Sequence, residues 1–300
     1  MANFFGFWHG EPLSLIHWMC LETFLSQGHN YTLYSYRKLE VPKGIELRDA
    51  ADVIDNSDLF FFSDTHSGKD YVAPFADLFR YKLLRDSGGC WCDLDTICLD
   101  SNFQLADTVY SREQPETHPN LIGVGILALQ ARSELACALY EKSLDKITRG
   151  LTSYTSLGPD LFSRLIKEKN LPQDANASSS HLYPIKWIEA FKLWLPEFTE
   201  LVRKRTRASP FISLYQSSYS HVSVPISTVP PDGSYLADYS ASASFAGRQS
   251  PLDVAKIRAG SRTFFQRVQW ATPALLNLVK VIEPDSYDFH EKWLRSEICP

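Results

Sequence analysis

Several features that define other protein classes are missing from this chain of 300 residues. It has no apolar stretch long enough to cross a bilayer, and its first ten residues lack the basic and apolar segments of a signal peptide. Its formal net charge of −5 offers no basic face to nucleic acid. Its six cysteines are too unevenly spaced for a disulfide framework. These absences predict a cytoplasmic protein that binds no nucleic acid and makes at most peripheral contact with a membrane.

One short basic cluster, Arg203-Lys204-Arg205, follows a helical pattern. Cations at the end of a helix complement the partial negative charge of its last carbonyl groups, so a solvated helix terminus explains the cluster. Contact with anionic lipid at the inner face of a membrane is the alternative, although a single cluster adds little affinity. The sequence leaves both interpretations open.

Strand and helix patterns alternate through the first hundred residues. Short apolar runs predict strands at Phe4–Trp8, Tyr31–Tyr36 and Cys90–Cys92. Between them, apolar residues at helical spacing predict helices at Leu13–Gln27 and Pro74–Arg85. This alternation predicts an α/β fold with a mostly parallel central sheet. In such sheets ligands bind beyond the carboxyl ends of the strands.

The rest of the chain continues this pattern and then changes character. A strand is expected at Leu121–Leu129, and helices are expected at Glu134–Ile147 and from Gly158 to Lys169. From Ala237 the chain is first polar and then mainly helical in pattern. We therefore predict one domain over residues 1–236 and a helical C-terminal extension over residues 237–300.

The stretch FADLFRYKLLRDSGGCWCDLD, residues 75–95, combines several signals of a metal and phosphate site. Asp77 and Arg80 lie three residues apart on one helical face, where a carboxylate and a guanidinium can meet one ligand. After a Gly-Gly break, a short strand leads into Asp93 and Asp95. Two carboxylates at a strand end suit Mn²⁺ or Mg²⁺, with substrate phosphates completing the coordination shell. The order of these elements predicts a metal-diphosphate site at this edge of the sheet.

Two simpler interpretations compete with this site. The Asp77–Arg80 pair alone could be a surface ion pair, and Asp93-Leu94-Asp95 alone could be a solvated turn. A phosphatase of the haloacid-dehalogenase type is a third alternative, with Asp93 as nucleophile in a D-x-D-x-T motif. Here Thr96 directly follows Asp95, so the threonine stands one residue too early. The composite of helix, glycine break, aromatic strand and acidic pair favours the metal-diphosphate site over each of these.

Residues 75–95 resemble the DXD sugar-binding region of a glycosyltransferase family. That family includes yeast α-1,6-mannosyltransferases, α-1,4-galactosyl- and N-acetylglucosaminyltransferases and bacterial capsular polysaccharide enzymes, and the clostridial glucosylating toxins carry a similar core. The opening FFGFWHG, the Gly158-Pro159 pair and the Pro230–Ser234 stretch are similar to further family motifs. The resemblance extends over about residues 3–236 and is strongest at 75–95.

The resemblance implies a GT-A (Rossmann-like) fold, an Mn²⁺ or Mg²⁺ cofactor and transfer with retention of anomeric configuration. It implies a nucleotide-sugar donor, UDP-sugar favoured over GDP-sugar, and a glycan or glycolipid acceptor, as in surface polysaccharide synthesis. Carried over residue by residue, it assigns roles to seven side chains. The catalytic residues are Asp93, Asp95 and Arg80; the donor-binding residues are Trp8, Asp77, Arg80, Asp93 and Ser234; the metal ligands are Asp95, Asp93 and Asp232.

The chain departs from the family pattern at two positions. Many relatives have His-Leu-Trp-Asn after the long helix, where this chain has Ser213-Leu214-Tyr215-Gln216. Relatives often have Asn-Asn-Ala where this chain has Gly123-Val124-Gly125. Because the first change affects the acceptor side, a catalytically weak protein that binds sugar nucleotides is the alternative to an active transferase.

Overall fold

The structure is a computed structural model, and it describes residues 2–222, 228–247, 250–251, 254–267 and 271–294. The strands in these ranges are β1 (Asn3–Phe7), β2 (Asn30–Ser35), β3 (Glu46–Asp49), β4 (Phe62–Asp64), β5 (Lys69–Tyr71), β6 (Gly89–Cys92), β7 (Thr96–Cys98), β8 (Ile126–Leu129), β9 (Phe211–Ser213), β10 (Thr228–Val229) and β11 (Ser250–Pro251). The α-helices are α1 (Leu15–Ser26), α2 (Ala73–Ser87), α3 (Glu134–Arg149), α4 (Pro159–Glu168), α5 (Ser179–Leu182), α6 (Thr199–Thr206), α7 (Ala237–Ser242), α8 (Val254–Arg267), α9 (Ala271–Ile282) and α10 (Tyr287–Leu294). Among the helices of these ranges, none is both long enough and apolar enough to span a bilayer.

A five-stranded sheet with the order β3-β2-β1-β6-β8 forms the centre of the fold. Strands β3, β2, β1 and β6 run parallel, and β8 pairs with β6 in the antiparallel direction. Helix α1 connects β1 to β2 and helix α2 precedes β6, whereas β2 and β3 are joined by a loop. The predicted α/β class with a mostly parallel central sheet is therefore confirmed, and the arrangement is compatible with a GT-A fold.

The Gly-Gly break between α2 and β6 has a geometric cause. Pro74 lies in the first turn of α2, and Gly88 follows the last turn with a φ of 68°. Gly89 has a φ of 98°, and a Cβ at this position would lie 2.6 Å from the ring of Phe5 on the neighbouring strand β1. Only glycine lets the chain turn here and pair with β1, so this dipeptide fixes where β6 begins.

One predicted strand is shorter in the structure, and one aromatic segment is broken by a proline. The predicted strand Leu121–Leu129 is regular only over β8, because its first residues bond across the sheet edge through isolated bridges such as Arg112–Ile122. The aromatic pattern from Trp187 to Arg203 forms 3₁₀ turns at Trp187–Trp194 and Pro196–Phe198 before α6 begins. Proline at 196 separates these turns, since it cannot donate to the preceding carbonyl groups.

The described part of the C-terminal extension shares a hydrophobic core with the preceding residues. Ile257, Leu275 and Trp293 belong to the same buried cluster as Ile97 and Trp194. A buried charge network adds to this contact and links the 3₁₀ turn, α6 and the end of α9. It consists of Glu189, Lys192, Arg205 and Glu283. The described helices after residue 253 therefore pack against the preceding residues, while the division into a domain over 1–236 and an extension over 237–300 stays a prediction.

Candidate functional site

A cavity of about 330 Å³ lies beyond the carboxyl end of β6. Helix α2 contributes Asp77 and Arg80 to its wall, and the turn after β6 contributes Asp93 and Asp95. Glu113 enters the same wall from the segment that precedes β8. The structure thus brings four of the sequence-predicted residues together at the sheet edge where the α/β pattern places a ligand.

Arg80 joins the helix side of this cavity to the strand side. Its Nη1 lies 2.7 Å from Asp77 Oδ1, and its Nη2 lies 2.8 Å from Asp93 Oδ1. The guanidinium stacks over the Trp91 indole, 4.7 Å from the ring centroid, and the indole Nε1 donates to the same Asp93 oxygen at 2.7 Å. The Arg80 side chain is only 5% exposed. The planar guanidinium of Arg80 bonds to one carboxylate through each terminal nitrogen and so fixes both carboxylates. A lysine ammonium lacks this geometry.

Two glycines leave the space that these carboxylates occupy. A Cβ at Gly125 would lie 2.9 Å from Asp93 Oδ2, and a Cβ at Gly158 would lie 2.6 Å from Asp77 Oδ2. The backbone N–H of Asp93 also donates to the Gly125 carbonyl at 2.8 Å. Glycine at these positions therefore permits the close approach of the two carboxylates.

Asp95 is held from the opposite side of the cavity. The backbone N–H of Gln216 donates to Asp95 Oδ2 at 2.8 Å, and the Gln216 side chain bonds to His17 Nε2 at 2.9 Å. The Ser14 N–H donates to His17 Nδ1 at 3.2 Å, so Nε2 carries the ring proton and donates to Gln216. Burial lowers the pKa of His17 to about 4, which keeps the ring neutral. The Ser213–Gln216 stretch thus supports Asp95 although it differs from the family pattern.

Three carboxyl groups around the cavity have raised pKa values. Burial raises the pKa of Asp77 to about 7, although the charge of Arg80 opposes this shift. Burial, followed by the charge of Asp93, raises the pKa of Asp95 to about 6. Burial also raises the pKa of Glu113 to about 7, again with a contribution from Asp93. The site therefore collects more negative charge than Arg80 neutralises, which favours the entry of a cation.

The raised pKa values predict a pH-dependent stability. A carboxyl group whose pKa is higher in the folded state binds a proton that unfolding releases, so stability falls as pH rises toward that pKa. The pKa values of Asp77 and Glu113 are both about 7, so we expect the Tm of the metal-free protein to fall by a few degrees between pH 6.5 and pH 8. For a chain of this size, a loss of 1 kcal/mol in stability lowers Tm by about 2–4 °C. The lowered pKa of His17 changes the free energy of unfolding with pH only below about pH 6.5, the ordinary pKa of a histidine. Calorimetry of wild type and Glu113→Gln checks this, since the variant should show a smaller decline; a Tm that rises over this range would contradict the assignment.

Three other predicted site residues lie outside the cavity wall. Trp8 follows β1, and its ring centroid lies 4.3 Å from that of His17. His17 bonds to the Gln216 side chain, and the Gln216 N–H donates to Asp95. Ser234 is buried in the turn that begins at Pro231, and Asp232 is exposed in the same turn. The proposed roles of these residues in donor and metal binding stay predictions.

The donor set fits a hard divalent cation shared with a substrate. Within the described residues, no group of three or more His, Cys, Asp or Glu side chains is arranged to hold a metal ion by itself. Asp93 and Asp95 provide oxygen donors at one cavity wall, and Asp93 keeps Oδ2 free of the Arg80 bond. Mn²⁺ and Mg²⁺ accept such incomplete protein shells because phosphate oxygens and water supply the remaining ligands.

Sequence reasoning missed Glu113, His17 and Gln216. Each reaches the site through a contact between distant parts of the chain, such as the His17–Gln216 bond across 199 positions. The spacing of residues within one segment does not predict such a contact. The one available signal was the position of Gln216 in the stretch that replaces His-Leu-Trp-Asn.

Comparison with known proteins agrees with this geometry. A family model described as "Glycosyltransferase sugar-binding region containing DXD motif" matches residues 17–114, about a third of the chain. The matched segment contains Asp77, Arg80, Asp93, Asp95 and Glu113. No curated protein matches the chain. Among solved structures, one described as "PaToxG Glycosyltransferase" matches at 16% identity with a TM-score of 0.42, covering 56% of this chain and 69% of that one. Residues 17–114 are thus similar to a sugar-binding DXD region of the glycosyltransferase type.

Proposed function

We propose that this protein is a metal-dependent, retaining glycosyltransferase that moves a hexose from a nucleotide sugar to a glycan or glycolipid. The observation that carries the proposal is the convergence of Asp77, Arg80, Asp93 and Asp95 on one cavity at the carboxyl edge of a parallel sheet. The match of the enclosing segment to a glycosyltransferase sugar-binding region supports it independently. UDP-sugar is the favoured donor.

In this proposal residues on the two walls of the cavity bind different parts of the donor. Asp77, 8% exposed and held by Arg80, accepts hydrogen bonds from sugar hydroxyls. Asp93, which is 40% exposed, faces the ribose and the sugar while Arg80 and Trp91 fix its Oδ1. Trp8 at the end of β1 lies near the base, and Ser234 contacts the diphosphate after its turn closes over the donor. The fixed carboxylates are preorganised, which reduces the entropy lost when the donor binds.

Asp95 and Asp93 would hold Mn²⁺ or Mg²⁺, and Asp232 is a further proposed ligand. When bound, such a cation stabilises the negative charge that develops on the leaving diphosphate. Asp95 is suited to this because the Gln216 N–H engages only its Oδ2 and orients the carboxylate toward the cavity. No protein base is required if the acceptor attacks on the face that the diphosphate leaves, since the leaving phosphate can take the acceptor proton.

We also propose a cytoplasmic location, with peripheral contact at the inner face of the membrane and a role in surface polysaccharide synthesis. Four cysteines of the described residues are buried as free thiols, and Cys137 is free as well. Free thiols are typical of a reducing compartment. The basic residues near the end of α6 are partly engaged, since Arg203 pairs with Glu200 and Asp238, so they add little affinity for lipid.

A screen of thermal shifts tests the proposal. Wild-type protein is heated with UDP, GDP, CMP and their hexose conjugates, each with Mn²⁺ and with EDTA. A ligand that binds only the folded state raises Tm, by an amount set by its concentration relative to its Kd. We expect a UDP-hexose to raise Tm with Mn²⁺ and to lose most of this effect with EDTA. Failure of every nucleotide sugar to raise Tm would overturn the proposal.

The alternative of a weak binding protein predicts a separate outcome. Such a protein would show the thermal shift but no release of UDP and no transfer to any acceptor. The bond from Gln216 to Asp95 favours the active enzyme, because it keeps the candidate metal ligand in place despite the changed sequence around it. Phosphatase activity is tested with p-nitrophenyl phosphate, and we expect no turnover that depends on Asp93.

A further inference from the structure

One wall of the cavity has no role in holding the donor. It is formed by residues outside α2 and contains Glu113, Trp187 and Tyr215. Glu113 is half-buried, and its carboxylate has no hydrogen-bond partner among the residues that the structure describes. Tyr215 is 7% exposed, and its hydroxyl is buried without a partner in the same part of the chain. Buried polar groups normally have partners, so this wall is built for a group that enters the cavity.

The two unpartnered groups lie close to each other. The pKa of the Tyr215 phenol is raised first by burial and next by the charge of Glu113, and the same two causes act on the neighbouring Tyr183. Tyr215 also has a φ of 50°, an unusual value for an aromatic residue. Such a conformation persists only where surrounding structure enforces it, and such positions cluster at functional sites.

The charge of Glu113 limits what can bind beside it. Arg80 is already engaged by Asp77 and Asp93, and the charge of Lys186 only partly offsets the burial and the Asp93 charge that raise the pKa of Glu113. Above about pH 7, where Glu113 is ionised, a third carboxylate repels a diphosphate and any other anion, whereas it accepts hydrogen bonds readily from an uncharged hydroxyl. Trp187, which is partly buried, adds an aromatic surface of the kind on which the apolar face of a pyranose packs.

We propose that Glu113, Trp187 and Tyr215 form the acceptor subsite and that this subsite takes a neutral pyranose. Glu113 accepts a hydrogen bond from a sugar hydroxyl, Trp187 packs against the ring, and Tyr215 offers its unpartnered hydroxyl to the same sugar. Acceptor sugars that carry a carboxylate or a phosphate at this position bind more weakly than neutral sugars when Glu113 is ionised. The inference rests on the proposed transferase function and adds the chemical class of its second substrate.

The test compares transfer with hydrolysis in the full chain. Wild type and Glu113→Gln are assayed with Mn²⁺, a UDP-hexose that supports hydrolysis, and methyl glycosides of glucose, galactose, mannose and glucuronic acid. We expect Glu113→Gln to raise the KM for a neutral glycoside about tenfold, because a charge-assisted hydrogen bond to the sugar becomes a weaker neutral one. The KM for the donor should stay within about twofold. In wild type the KM for the glucuronide should be higher than the KM for a neutral glycoside. The ratio of these two KM values should be smaller in the variant, because the repelling charge is gone.

Two further variants sharpen the test. Tyr215→Phe keeps the ring and removes the hydroxyl, and we expect a smaller rise in the KM for the acceptor, about threefold. Glu116→Gln removes an exposed carboxylate three residues away, outside the cavity wall, and serves as the matched control. Circular dichroism and Tm of each variant show whether it is folded.

The possible outcomes separate this inference from the proposed function. An equal rise in the KM for the donor would assign Glu113 to the donor sugar and overturn the acceptor subsite. Unchanged kinetics in Glu113→Gln would overturn it as well, and so would wild-type hydrolysis of the donor without transfer to any methyl glycoside. Absence of both hydrolysis and donor binding in wild type would instead overturn the transferase function.

Discussion

Replacing Asp95 with asparagine is expected to reduce Mn²⁺-dependent turnover of a UDP-hexose at least about a hundredfold, because a charged metal ligand is lost. Asparagine keeps the shape of the side chain and the oxygen that accepts from Gln216 N–H. Since burial and Asp93 raise the pKa of Asp95, removing its charge relieves repulsion in the metal-free protein. We therefore expect the Tm of metal-free Asp95→Asn to equal or exceed that of wild type.

Rates of UDP release over a range of Mn²⁺ concentrations measure this effect. Asp107→Asn, which removes an exposed carboxylate outside the cavity, is the control and should behave like wild type. Loss of activity accompanied by a large loss of Tm would point to a structural role for Asp95. Full activity in Asp95→Asn would refute the metal assignment.

Removing the Arg80 side chain is expected to cost both stability and activity. Arg80→Ala leaves Asp77 buried without its counterion and frees Asp93 from its main anchor. Breaking a buried pair by removing one partner costs about 3–5 kcal/mol. For a chain of this size that corresponds to a loss of roughly 6–20 °C in Tm. Turnover should fall as well, because the two carboxylates lose their fixed geometry.

A second variant separates the two effects. Arg80→Met combined with Asp77→Asn removes both charges of the buried pair, so most of the lost stability should return while turnover stays low. Lys82→Ala on the same helix breaks only the partly exposed pair with Asp86 and should cost less than about 1 kcal/mol. If the double variant regained turnover together with stability, Arg80 would have no role beyond folding.

The elements that carry the donor site could be predicted because their signals are local. Helical spacing across Asp77 and Arg80, the proline at the start of α2 and the two glycines at its end lie within one continuous stretch. Asp93 and Asp95 follow β6 directly, as the sequence indicates. Local order of this kind determines where side chains leave a helix or a strand, and an α/β sheet brings such positions to one edge.

The remaining parts of the site depend on contacts between distant segments. Glu113 reaches the cavity because its segment bridges to Ile122 beside β8, and Gln216 meets Asp95 across 121 positions. The space for Asp77 is left by Gly158, which belongs to the start of another helix. Periodicity and spacing contain no information on such pairings, because they are set by how whole elements pack.

Release of UDP from a UDP-hexose by wild-type protein, measured with Mn²⁺ and with EDTA, tests the central claim most directly. The account predicts release that requires the cation and that Asp95→Asn loses. Release that is equal in EDTA, or no release together with no binding of any nucleotide sugar, would contradict it.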